Sequence, residues 1–427
     1  MKKQKSSSRQ DISRVHLGGK FVALDAESEA RQSVSRKKQA EQFLATVVMG
    51  MNLVNTVAPL AVLATAEQKL SAVPQPVRSE AETLDYAVLP PLADVVEKLV
   101  FARAYATSYG GNETVANMVE GDTHEINHMQ NGTAITMSGG SQNIGNGGTG
   151  TVRTMSGGVQ KIYAHGTGTI STMSGGNQYI QDDAIGTVDT MMRGTQGIAS
   201  GGTGTVSTML EGIQDISSGG TGTVSAMSGG NQVIRGGTGT VVTMNSGWQN
   251  IASGGTGTVS TMSGGQQTVN SSGTGTVNIM NSGAQEISGG VGIIAVMSGG
   301  EQTIQSNGTG TVSTMNDGGQ YITSGTGTVS TMSGGAQDIT SGTGTVSTMS
   351  GGEQNIYSGG TGTISTMLDG LQGVAGGGAG TVSTMNGGVQ LVENGGSGIV
   401  STLSGGTQMI VDQGSGTIGT MSGAVRR

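Results

Sequence analysis

From about Thr114 to the end of the chain, apolar and polar positions recur with a period of 17 or 18 residues. With Met taken as position zero, the period is marked by Met137, Met155, Met173, Met191, Met209, Met227, Met244 and onward to Met385 and Met421. Leu403 fills the one place without Met, and Met118 opens a degenerate earlier copy. The consensus reads GTGTVSTMSGGxQxIxSG. Five residues after each marker stands Gln, sixteen times from Gln142 to Gln408. Ile or Val stands at +7, Gly at +3, and Val or Ile at −3 in all but the first full copy. A fixed period of this kind is the signature of a stacked repeat, whose units bury a core only against their neighbours.

Fixed and variable positions alternate within the unit. Gln at +5 and Ile at +7 are constant, whereas +4 and +6 accept Lys161, Asp215, Trp248, Glu286 and Glu353. Alternate residues of a strand share a face, so the constant pair is expected inside and the variable pair in water. The same reasoning on the longer segment places Val at −3 and Thr at −1 inside, with −2 outside. Met then has outward parity despite its constancy, which predicts a bend at Met with the flexible thioether filling a corner. Gly at +2 and +3 are expected to make one turn and the SGGTG stretch the other. The chain is therefore expected to be all-β, a β-solenoid or β-helix of about 17 stacked coils over 114–425. At about 4.8 Å per coil it would form a rod of roughly 80 Å. The inward Gln column (Gln142, Gln160, Gln178, Gln196, Gln214, Gln232, Gln249, Gln267 and on) is expected to bond amide to amide as a structural ladder.

The preceding residues have a different pattern. Residues 1–42 carry ten basic and five acidic side chains, and Phe43 to Ala66 runs for 24 residues without a charge. The exit Ala64-Thr65-Ala66 fits the small-x-small site of a secretory signal. A transmembrane anchor is the alternative, weakened by Asn52, Asn55 and Pro59. Residues 1–66 are thus expected to be an extended signal peptide. Residues 67–113 read as a linker rich in Pro, with a short helix over Ala93–Thr107, so the N-terminal segment is expected to be mostly disordered or helical.

Composition then narrows the function classes. The 427 residues include 80 Gly, 3 Phe, 1 Trp and no Cys, which excludes disulfides and thiolate metal sites. Only 11% of residues are charged and the net charge is −8. Four basic residues in the array exclude a nucleic-acid stripe.

The apparent catalytic motifs dissolve on inspection. His124-Glu125-Ile126-Asn127-His128 spells a zincin H-E-x-x-H, but that chemistry needs a helix with both His on one face. Here the segment aligns with the x-Q-x-I strand of the first copy, with one extra residue, and an extended chain holds the two His apart. The acids of the array, among them Asp182, Asp183, Asp215 and Asp338, occupy scattered outward or turn positions. A polysaccharide-active β-helix, which would need a clustered pair of carboxylates, is kept as the alternative function. Calcium-binding β-rolls need Asp where this array has Thr in GGTGT. No catalytic residue, cofactor or metal is assigned. The remaining signal is hydroxyl-rich: Thr-Gly-Thr recurs, and Ser occupies −2 at Ser207, Ser225, Ser260, Ser313, Ser330, Ser347, Ser365 and Ser383. These eight are candidate O-glycosylation acceptors. Ice binding by the Thr ranks is a further reading, disfavoured because the Thr-Gly-Thr is expected in a turn.

The unit GGTGTVSTMSGGxQxI, together with the long basic leader before Phe43 and the lack of Cys, resembles the passenger repeats of AIDA-type autotransporter adhesins. The resemblance implies a protein secreted to the surface of a Gram-negative-type bacterium, there mediating adhesion, self-association or biofilm formation. It implies partners among host or bacterial surface receptors and glycans, and O-linked sugars on Ser or Thr. It also implies an outer-membrane translocator barrel, which these 427 residues do not contain and which a longer reading frame or another chain is expected to supply.

Overall fold

The computed structural model describes residues 107–423. The expected leader at 1–66, and the linker with its helix up to residue 106, lie outside the described residues. The described residues form one parallel sheet wound into a β-solenoid of about 17 coils, without any helix. Each coil has a long strand of seven residues, such as Thr203–Met209, and a short one of four, such as Ile213–Ile216. Long strands pair with long strands and short with short, always one period along: Val188 with Val206, Met191 with Met209, Gln196 with Gln214. In several coils the bend between them closes up and the strand runs on, as over Thr256–Asn270. The ladder begins before Thr114, because Ser108–Tyr109 already pairs with Thr123 and His124.

The turn after Met is made as the sequence suggests. Gly at +3 holds a left-handed backbone, with φ of 74°, 77° and 78° at Gly140, Gly158 and Gly176. A Cβ on Gly158 would stand 2.6 Å from the carbonyl oxygen of Gly139 in the preceding coil. Both conformation and space therefore require glycine there.

The long strand departs from strict alternation, and two expectations change. In Thr203–Met209 the residues Gly204, Val206 and Met209 are buried, while Ser207 and Thr208 are both partly exposed. The expected inward Thr at −1 is thus outward. The break in parity lies at −2 and −1, ahead of Met, and the −2 residue is the one skipped in the strand register (Val188 with Val206, then Thr190 with Thr208). This slip turns Met inward, and the position-zero Met residues from Met137 to Met385 are all fully buried. The Thr-Gly-Thr unit is the second change. It lies in the strand and not in a turn, with its Gly inward. A Cβ on Gly204 would stand 2.3 Å from Ile198 Cδ1 and 2.8 Å from Gln196 Oε1. Glycine is needed there because the short strand's side chains fill the space.

The interior consists of three columns. Val and Met form one apolar stripe and Ile at +7 forms another. Gln at +5 runs along the interior as the third. From Gln160 to Gln408, each Nε2 donates to the Oε1 of the Gln one coil earlier, at 2.6–2.7 Å, in fifteen consecutive bonds. The second amide proton is also engaged: Gln196 Nε2 lies 3.3 Å from the carbonyl oxygens of Gly186 and Thr205. Among the described residues no buried side-chain nitrogen or oxygen lacks a partner. Leaving one such group unpaired would cost about 1–3 kcal/mol, so the ladder is what lets a polar residue occupy every coil of the core.

Candidate functional site

Among the described residues no His, Asp or Glu side chains gather in a group of three or more able to hold a metal ion, and the chemistry of the solenoid is spread along two unlike faces. The first is the outer side of the long strands. Because Gly at −5 and Val at −3 point in, the residues at −6 and −4 point out. Thr occupies −6 in eleven of the seventeen coils from Met137 to Met421, and −4 in fifteen of them. Five consecutive coils carry the complete pair: Thr203/Thr205, Thr221/Thr223, Thr238/Thr240, Thr256/Thr258 and Thr274/Thr276. Their registers match one to one from coil to coil. None of these ten hydroxyls has a hydrogen-bond partner among the described residues. Across −6, −4, −2 and −1, the only charged side chains in those seventeen coils are Arg153 and Asp189.

The slip in the strand adds a Ser column beside these Thr ranks. Of the eight candidate acceptors, Ser225, Ser313, Ser330, Ser347 and Ser365 are exposed, and Ser207, Ser260 and Ser383 are partly exposed. Ser313, Ser330, Ser347, Ser365 and Ser383 stand in five successive coils. Ser171 and Ser401 occupy the same position and belong with them, as their place in the repeat already indicates. Ser at +1 behaves differently: Ser174 and Ser350 donate to the carbonyl oxygens of Met155 and Met332 at 3.3 Å, so that column helps join the coils.

The second face is the outer side of the short strands, and it is varied. Trp248 is 53% exposed and donates through Nε1 to Gln266 Oε1 at 3.0 Å. Arg235 pairs with Asp215 one coil away, and in the turns leading into these strands Arg193 pairs with Glu211 at 3.2 Å. Such exposed pairs contribute little to stability. Tyr321 lies near Glu301 and Asp338; partial burial, and then those carboxylates, raise its hydroxyl pKa above 10.0.

The H-E-x-x-H segment is an extended strand in the structure. His124 pairs in register with Gln142 and occupies the Gln column, fully buried, whereas His128 is exposed on a turn with φ of 52°. His124 Nε2 donates to the Gly110 carbonyl oxygen at 3.0 Å, which leaves Nδ1 to accept from Gln142 Nε2 at 3.4 Å. Burial holds the imidazole pKa below 6.5, against the opposing pull of the Gly110 carbonyl, Glu113 and Glu125. Among the described residues, no three His, Asp or Glu side chains group so as to hold a metal ion. The acids are outward except Asp122, which is buried and accepts from the backbone N–H groups of Thr107 and Val119 at 3.0 Å.

No family model and no curated protein matches the chain. Among solved structures, it is similar to the TibC-catalyzed hyper-glycosylated TibA55-350 fragment, at 25% identity over 74% of this chain and 100% of that one, with a TM-score of 0.31.

Proposed function

We propose that the chain is a non-catalytic passenger, exported to a bacterial surface, whose solenoid displays repeated binding groups for adhesion and self-association. The observation that carries this reading is the uniformity of the wall. Seventeen coils present the same positions in register, so the array offers many equivalent weak contacts and not one pocket. Multiplying weak contacts along one rigid scaffold raises avidity without any strong single site. The unit's resemblance to AIDA-type passenger repeats, and the parallel solenoid it forms, support the same reading. The partners are receptors or glycans of host or bacterial surfaces, or a second copy of the chain, and the route is to the surface of a Gram-negative-type bacterium.

The outward −2 column adds O-glycosylation at Ser207, Ser225, Ser260, Ser313, Ser330, Ser347, Ser365 and Ser383. A hydroxyl engaged by no neighbour can be modified without disturbing the coil. Two measurements test these readings separately. Beads coated with the full chain are expected to clump, and to bind cultured epithelial cells or bacteria well above albumin-coated beads. Equal binding, or hydrolysis of a polysaccharide by the purified protein, would overturn the adhesive reading. Peptide mapping of the protein from its native host is expected to find sugars at the eight Ser, and unmodified peptides throughout would remove the glycosylation reading.

A further inference from the structure

The Thr-Gly-Thr unit lies in a strand, and this changes what its hydroxyls can do. In a turn, successive Thr would point in different directions. On the strand, the inward Gly forces both neighbours out on the same side. Parallel in-register stacking then repeats each Thr at about 4.8 Å along the solenoid, and the −6 and −4 ranks stand about 6.7 Å apart along the strand. The result is a two-dimensional lattice of identical methyl and hydroxyl groups.

We infer that this Thr face binds ice. The spacings are comparable with the oxygen repeats of the ice lattice. Each Thr supplies a methyl that orders adjacent water and a hydroxyl that can replace one water of that layer. Three observations favour ordered water over an ionic or small-molecule ligand. The ten Thr hydroxyls of the five complete coils, Thr203 to Thr276, have no protein partner among the described residues. The face carries two charges in seventeen coils, Arg153 and Asp189, and both lie outside that block. The groups are also held in place, since χ1 of Thr is stiff and the backbone carbonyls of Thr205, Thr223, Thr240, Thr258 and Thr276 accept from the Nε2 of the Gln ladder. Preordering of this kind is what a rigid crystal surface rewards, because little entropy remains to be lost on contact. Four further complete coils follow, Thr309/Thr311 to Thr361/Thr363, after one in which Val291 and Ile293 keep the methyls and lose the hydroxyls. The inference is independent of the adhesive reading but competes with glycosylation at Ser207, Ser225 and Ser260, which stand beside the Thr ranks of the same coils, so it concerns the chain without those sugars.

The test uses the full chain made in a host lacking glycosyltransferases, its β-structure checked by circular dichroism. Growing ice is expected to incorporate the folded protein, and the freezing point is expected to fall below the melting point as concentration rises. Thr240→Tyr with Thr258→Tyr, in the centre of the five-coil block, should remove most of that gap. Thr268→Tyr, outward on the short-strand face, should leave it unchanged. Exclusion of the folded wild-type chain from ice, or an equal loss in the Thr268→Tyr control, would overturn the inference. Bead adhesion measured on the same protein is scored independently, so failure of one reading is distinguishable from failure of the other.

Discussion

At the head of the Gln column, His124 does the work of a Gln with one difference: it can take up a proton. Its Nδ1 accepts from Gln142, whose Oε1 in turn accepts from Gln160, and the same polarity runs through every later bond. A second proton would place donor against donor at Gln142. Because burial holds the folded pKa below 6.5, the folded state binds fewer protons than the unfolded one. Stability is therefore full above 6.5, falls as pH drops through it, and bottoms out below the folded-state value. Hydrogen-exchange protection of Thr123–Ile126 should fall as pH drops below 6.5, while that of Thr195–Ile198 holds. His124→Gln supplies both the donor to Gly110 and the acceptor for Gln142, and should abolish the difference. A pH loss that persists in His124→Gln would place the acid-sensitive group elsewhere, with Glu113 and Glu125 the nearest charges.

The long strand shows how one element serves two surfaces. Its first half alternates strictly, putting Gly and Val in and two Thr out; its second half slips by one residue, putting Ser and Thr out together and Met in. The Gly at −5 is the most constrained position, because Ile198 Cδ1 and Gln196 Oε1 occupy the volume a methyl would need at Gly204. Replacing Gly by Ala gains about 0.4–1 kcal/mol from the unfolded chain. Overpacking costs about 1–3 kcal/mol, so Gly204→Ala should be destabilising on balance. Ile198→Ala removes the obstructing methyl, and the double variant should be more stable than the sum of the single losses implies. Urea unfolding of the four proteins of this cycle measures the coupling; simple additivity would show that the contact is not what holds Gly in place.

For the array as a whole, each coil meets only its two neighbours, so stability is close to a sum of coil and interface contributions. Removing residues 210–227, one whole period, joins position zero of one coil to position +1 of the next and lets Gln232 stack on Gln196. That deletion should keep the circular-dichroism spectrum per residue and the resistance to proteolysis. Removing residues 210–218 alone sets a long strand against a short one, breaks the Gln column, and should make the chain protease-sensitive. If both deletions behaved alike, register between coils would not be what holds the solenoid.

The repeat by itself determined a great deal: the period, the stacking of coils, the turn at Gly +3 and the inward Gln and Ile columns. Those features follow from constraints that each unit states locally and then repeats. The orientation of the second half of the long strand did not follow. Alternation predicts which residues share a face only while the strand stays regular, and nothing in STM marks the residue at which parity slips. The place of Thr-Gly-Thr was hidden for a related reason. Glycine reads as a turn former, and here it answers to Ile198 and Gln196, which reach it only once the chain has folded back across the coil. Steric exclusion between facing strands is a property of the stacked structure, and it alone decided that the Thr ranks line a wall.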